Sequence, residues 1–240
     1  MEIPAHDAVL VRGLIKSFGK GDTKITVLRG VDLEVRMGEL LLLVGESGGG
    51  KTTLLSAIAG ILDFDAGELG VLGVPLGELP ERKKTKFRGQ TMGFVFQQFH
   101  LLPALTAAEN VAVPLLIRGV RKREAIRRGR EMLGRVGLAE RTEFLPRDLS
   151  VGQQQRVAIG RALVSEPRLL ICDEPTAALD GDTGHQVMTI LREVGRSPDR
   201  AVIVVTHDSR VFHFGDRIAR LTDGRIESVE DVTAGKESQP

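Results

Sequence analysis

The chain has 240 residues, with 33 Lys and Arg against 32 Asp and Glu, a net charge of +1 and a single Cys. Near-neutrality argues against a general nucleic-acid binder, which carries a basic excess, and one Cys excludes an internal disulfide framework and suits a reducing compartment. The length suits one α/β domain or a large core with a small appended subdomain; with no apolar run near the roughly 20 residues that span a bilayer and no signal-peptide pattern at the start, a cytoplasmic protein is expected.

In chain order, Val9 to Phe18 and Val31 to Val35 roughly alternate apolar and polar residues, as half-buried strands do, around a turn at Gly19 to Asp22. They predict an antiparallel β region. Leu40 to Val44 is continuously apolar, as are Leu169 to Cys172 and Ala201 to Val205; such runs suit parallel neighbours in a sheet covered on both faces. Between Gly67 and Gly93 the pattern gives a short strand and a charged helix around Pro80 to Arg88, leading into Met92 to Phe96. From Leu101 to about Val164 helical periodicity replaces strands, with a capping box at Thr106 and Glu109 and a second helix over Lys122 to Val136. The basic cluster around Arg123, Arg127 and Arg130 is interspersed with Glu124 and Glu131 and reads as a solvated helix face. Arg217 to Leu221 and Arg225 to Val229 flank Thr222, Asp223 and Gly224 as a hairpin, and residues from Glu230 onward read as a frayed tail.

The chemistry centres on Gly45, Glu46, Ser47, Gly48, Gly49, Gly50, Lys51, Thr52 and Thr53, a glycine-rich loop between an apolar strand and a helix. It fits GxxxxGK followed by Ser or Thr. Free backbone amides and a helix amino terminus converge on an anion; Lys51 is placed to reach β and γ phosphates, and the Thr52 hydroxyl to ligate magnesium. The strand over Leu169 to Cys172 ends in Asp173 and Glu174. Ligands gather at the carboxyl ends of parallel strands, so Asp173 is expected to hold the magnesium shell and Glu174 to orient an attacking water. His207, after Ala201 to Val205, is placed at the same edge to sense a γ phosphate. Ser150 and Gln153 form a capping box before a helix, and with Gly152 in its first turn this start is also an anion site, of undetermined occupant.

From about Val9 to Val229 the chain resembles the nucleotide-binding subunit of ATP-binding-cassette (ABC) transporters. The resemblance rests on motifs in order: the phosphate loop, Gln97 after FVF, LSVGQ at Leu149 to Gln153, LLICDEP at Leu169 to Pro175, AALD at Ala177 to Asp180, and His207. The run MGFVFQQFHLLPALTAAENVAVPLL looks like the subgroup serving lipoprotein release, macrolide and glycolipid export, and a cell-division complex. The resemblance implies an α/β phosphate-loop NTPase fold, with a mainly parallel core sheet, an antiparallel β subdomain and an inserted helical subdomain. One domain over residues 1–229 is expected, its core at 1–97 and 166–229, its helical part at 98–165, and a disordered tail at 230–240. It further implies ATP and Mg2+, and a head-to-tail homodimer in which Ser150, Gly152 and Gln153 of one copy close the γ phosphate held by the other. Phe18 falls where adenine is stacked, Gln97 where the magnesium shell is completed and linked to the partner, and Asp180 where the two sites are coupled. The implied protein is an ATPase that powers a separate transmembrane permease, handling lipids, lipoproteins or amphipathic compounds from the inner face of the membrane, with no nucleic-acid partner. A regulatory module of a cell-division type that moves no substrate is the competing reading. Val151 replaces the first glycine of the usual LSGGQ, which puts the rate of closed-dimer hydrolysis at issue.

Overall fold

The computed structural model describes residues 4 and 6–232. The alternating stretches near the start pair with each other: β1 (Asp7–Phe18) and β2 (Ile25–Arg36) run antiparallel. The second begins six residues before the alternation predicts, because its first half pairs along β1 while still partly exposed. After β3 (Leu40–Val44) and α1 (Lys51–Ile58), β4 (Ala66–Val71) joins the other side of β1 and carries β5 (Val74–Pro75), completing a four-stranded antiparallel sheet ordered β2-β1-β4-β5.

A second, six-stranded sheet forms the centre. Its strands are β3, β6 (Met92–Val95), β7 (Leu169–Asp173), β8 (Ala201–Val205), β9 (Arg217–Thr222) and β10 (Arg225–Asp231), in the spatial order β10-β9-β3-β8-β7-β6. All but β10 are parallel. Every residue of β3 and β8 is buried. Leu40, Leu42 and Val44 join one apolar cluster and Leu41 and Leu43 the other, as period-two side chains must when both faces are covered. Glu230 and Asp231, expected in the tail, instead belong to β10 and pair with Ile218 and Arg217, because edge pairing needs backbone groups rather than an apolar pattern. Residues 233–240 lie outside the described residues.

One face carries α1 and the antiparallel sheet. The other carries α3 (Ala107–Ile117), α4 (Lys122–Arg135), α5 (Val151–Leu163) and α6 (Gly181–Gly195), while α2 (Glu81–Thr91) leads into β6. Both capping boxes form, at Thr106 with Glu109 and at Ser150 with Gln153. The cations of α4 are engaged as a solvated face would have them: Arg127 pairs with Glu124 and Glu131, and Arg130 with Glu143. Asn110 is wholly buried in α3, where its amide donates to Leu102, Leu105 and Thr106 carbonyls and accepts from Leu102 N at 2.7 Å. Asn110→Ala strands these backbone groups and is expected to cost about 2–3 kcal/mol, read as a lower urea midpoint.

Candidate functional site

Because β6, β7, β8 and β3 are parallel, their carboxyl ends share one edge, and the residues that follow them meet there in strand order. Gln97 follows β6, Asp173 ends β7 and Glu174 comes next, His207 follows β8, and the phosphate loop follows β3. Together with Val27 and Val205 they line a cleft of about 650 Å³.

The loop is shaped by its glycines and by what they approach. Gly50 is in the left-handed region at φ 100°, directly before α1. Gly45 has φ 154°, and a Cβ there would lie 2.0 Å from the Leu221 carbonyl oxygen. Gly224 N also donates to Gly49 O at 3.3 Å, so the β9–β10 hairpin braces the loop from behind. The Lys51 ammonium, mostly buried, donates to the carbonyls of Gly45 at 2.8 Å and Glu46 at 2.7 Å, which holds it at the centre of the loop. Of the predicted loop residues, only Gly49 does not line the cleft itself.

Glu174 has φ 51°, in the left-handed region that a side chain of this size rarely adopts. Its conformation is held by Glu174 N to Val205 O at 3.0 Å and by the turn that follows. There, wholly buried Gln155 of α5 donates to Pro175 O at 2.6 Å. Such local strain persists where the surroundings over-determine it, and it clusters at functional sites. His207 Nδ1 lies 2.8 Å from Glu174 Oε1. Burial, then the adjacent Glu174 charge, pushes the Asp173 carboxyl up from its ordinary range, against the Lys51 ammonium and the Thr52 hydroxyl. Two carboxyls, Asp173 and Glu174, thus stand side by side in the cleft with Lys51.

Four predicted positions lie away from this cleft: Ser150, Gly152, Gln153 and Asp180 line none of it. They are joined to each other instead. Asp180 caps α6 by accepting from Thr183 N at 2.9 Å, and a Cβ on Gly152 would come within 2.2 Å of Thr183 Cγ2. The start of α5 and the start of α6 therefore pack as one unit through Gly152. Val151 is the first residue of α5 and is 47% exposed, so its bulk points outward at the position where the usual glycine is missing. Phe18, at the end of β1, is also outside the cleft, half exposed, with Lys16 Nζ 5.4 Å from its ring centroid. Val27, Val205 and the Leu221 and Gly224 backbone were missed by sequence reasoning; the Asp-Gly turn marked a hairpin, but nothing local marked its contact with the loop. Cys172 is buried, and burial pushes its thiol up, leaving it an inert core residue.

The family described as ABC transporter matches residues 28–177. The chain is 42% identical over 225 residues to the Escherichia coli K12 protein named uncharacterized ABC transporter ATP-binding protein YbbA, covering 94% of this chain and 99% of that one. It is 46% identical over 217 residues to the lipoprotein-releasing system ATP-binding protein LolD of Geobacter metallireducens, covering 90% and 96%. Among solved structures, the dimeric post-hydrolysis state of the ATP-binding cassette MJ0796 bound to ADP and Pi superposes with a TM-score of 0.85 at 38% identity, over 93% of this chain and 98% of that one.

Proposed function

This chain belongs to the ABC transporter family, and from that premise we propose that it is the ATP-hydrolysing subunit of a complex that extracts or exports lipids, lipoproteins or amphipathic compounds through a separate transmembrane permease. The observation that carries the reading is the cleft itself: phosphate loop, Asp173, Glu174 and His207 converge on one edge, while Ser150, Gly152 and Gln153 sit outside it. Half of an ATP site is present in one copy. A second copy, head to tail, supplies the other half, with its α5 amino terminus facing the γ phosphate and Asp180 coupling the two sites. MJ0796, named as dimeric, supports this assembly.

Thr52, Asp173 and Gln97 offer a hydroxyl, a carboxylate and an amide oxygen, an all-oxygen set that fits Mg2+. Held by these residues, Mg2+ would supply charge neutralisation to the phosphate chain. Lys51 exchanges its carbonyl partners for phosphate oxygens. Glu174 orients the attacking water and accepts its proton, and His207 fixes the Glu174 carboxylate while reaching for the γ phosphate. Phe18, half exposed, is the residue that stacks on adenine. Catalysis is positioning and charge stabilisation rather than covalent chemistry.

Among the described residues no helix is long and apolar enough to cross a membrane, so a membrane role requires a partner. A groove of about 750 Å³ between α2, β6, α3 and α5 is lined by Ile61, Met92, Phe94, Phe96 and Ile117. Arg161 donates to the carbonyls of Phe99 and His100 at 2.7 and 2.6 Å, tying the segment after Gln97 to α5 beside this groove. The run from Phe99 to Leu105, apolar in a loop, is a candidate docking surface by its sequence. However, Leu101 packs against the core, and of that run only His100 lines the groove. On this reading a cytoplasmic helix of the permease occupies the groove, with the chain at the inner face of the membrane. The lipoprotein-releasing name of the LolD relatives favours release over cell-division signalling. Affinity purification from native membranes is expected to bring down a permease, and Ile117→Asp, at a position 81% exposed, should lower its recovery at least tenfold with ATP binding intact. Undiminished recovery would remove the groove from the docking role.

A further inference from the structure

We propose that His6, Asp7 and Glu34 form a site for one divalent transition-metal ion of the zinc class, outside the nucleotide cleft. A ring nitrogen of His6 and a carboxylate oxygen from each of the two acids all lie within 4.8 Å of one another. The Asp7 side chain is only 2% exposed, and its Oδ1 is buried with no hydrogen-bond partner among the described residues. His6 Nε2 is 3.4 Å from that oxygen, close enough for an ion pair but not directed as a hydrogen bond. That spacing matches two ligands of one ion. With Zn–N at about 2.0–2.1 Å and Zn–O at about 2.0–2.2 Å, a tetrahedral angle puts the donor atoms about 3.3–3.5 Å apart.

The backbone aims the three groups together. Pairing of β1 with β2 slips between Asp7 and Val9, a bulge of the kind that re-aims a side chain, and Met37 N donates to His6 O at 2.8 Å, fixing His6 against the end of β2. The neighbouring guanidinium does not complete the set: Arg36 Nε takes Glu34 Oε1 at 3.1 Å and leaves the other Glu34 oxygen. A buried carboxylate oxygen left without a partner among the described residues, as Asp7 Oδ1 is, costs stability unless a cation meets it. One imidazole nitrogen with two carboxylates is a mixed donor set suited to zinc and its neighbours, whereas magnesium and calcium take oxygen alone. The two carboxylates also balance the ion's charge. The bound ion would staple the segment before β1 to the end of β2.

The test is calorimetric titration of Zn2+ into the full chain, with ADP and excess Mg2+ present to occupy the nucleotide cleft. The wild type is expected to take up one Zn2+ at this site, and His6→Ala and Glu34→Gln each to weaken that uptake at least tenfold. Both positions are outside the core, so circular dichroism should show these variants folded, and their turnover in Mg2+ and ATP should match the wild type. No uptake by the wild type, or equal uptake by the His6→Ala, Glu34→Gln double variant, would overturn the site. So would a folded Asp7→Asn that binds Zn2+ as well as the wild type; a more stable Asp7→Asn with that binding would show that the two carboxyls merely share a proton.

Discussion

Glu174→Gln is expected to lower steady-state ATP turnover by about a hundredfold to ten-thousandfold, the range a positioned general base contributes, while ATP still binds. The amide keeps the size of the carboxylate, so it keeps the turn held by Val205 O and by Gln155 through Pro175, and it retains a polar atom facing His207 Nδ1. What it loses is the charge that accepts a proton from water. Burial and then the same charge push Asp173 up, so removal of the charge should leave thermal stability unchanged or slightly higher. With chemistry blocked and binding intact, the variant should accumulate as a dimer in ATP, visible by size exclusion. Phosphate release within threefold of the wild type would remove Glu174 from its assigned role.

Gly45→Ala is expected to lower stability by about 2–4 kcal/mol, combining overpacking with an unfavourable backbone region, and to weaken ATP binding at least tenfold. Its new Cβ would meet the Leu221 carbonyl oxygen at 2.0 Å and the carbonyl carbon at 3.1 Å. Both belong to the backbone of β9, parallel to and hydrogen-bonded with β3, so neither can swing aside as a side chain would. Relief requires displacing the start of the phosphate loop, and Lys51 anchors on the Gly45 carbonyl itself. Gly48→Ala is the informative control. It also has a positive φ, 82°, but a Cβ there meets nothing within 4 Å, so it should cost only about 1 kcal/mol from backbone strain. Fluorescent-nucleotide binding and thermal melts on the pair separate conformational cost from collision; equal losses would show that the Leu221 contact does not set the difference.

The two capping boxes were readable because each is closed within four residues, Thr106 to Glu109 and Ser150 to Gln153. The central strands were readable because a run such as Leu40–Val44 has no polar residue to place in water. By contrast, β10 reaches two residues past its apolar pattern, where pairing with β9 is made by backbone groups that no side-chain periodicity reports. The role of Asn110 was equally hidden, since an Asn in an apolar helix carries no sign of which loop it will bind.

For the candidate site, the residue types that meet at the cleft were legible one motif at a time, because each motif sits at the end of a strand or the start of a helix whose local pattern is plain. Sequence alone therefore determined the central strands, the two capping boxes and the chemistry available at each motif. Only the tertiary structure decided which junctions meet: that β8 lies between β3 and β7, bringing His207 to Glu174; that Leu221 stands behind Gly45; and that Gly152 packs on Thr183 rather than on the phosphate loop. The physical reason is that periodicity records which face of an element is buried but not what buries it. Contacts between residues far apart in the chain, such as Gly45 and Leu221, are fixed by the pairing of strands that no local pattern reports, here β3 with β9.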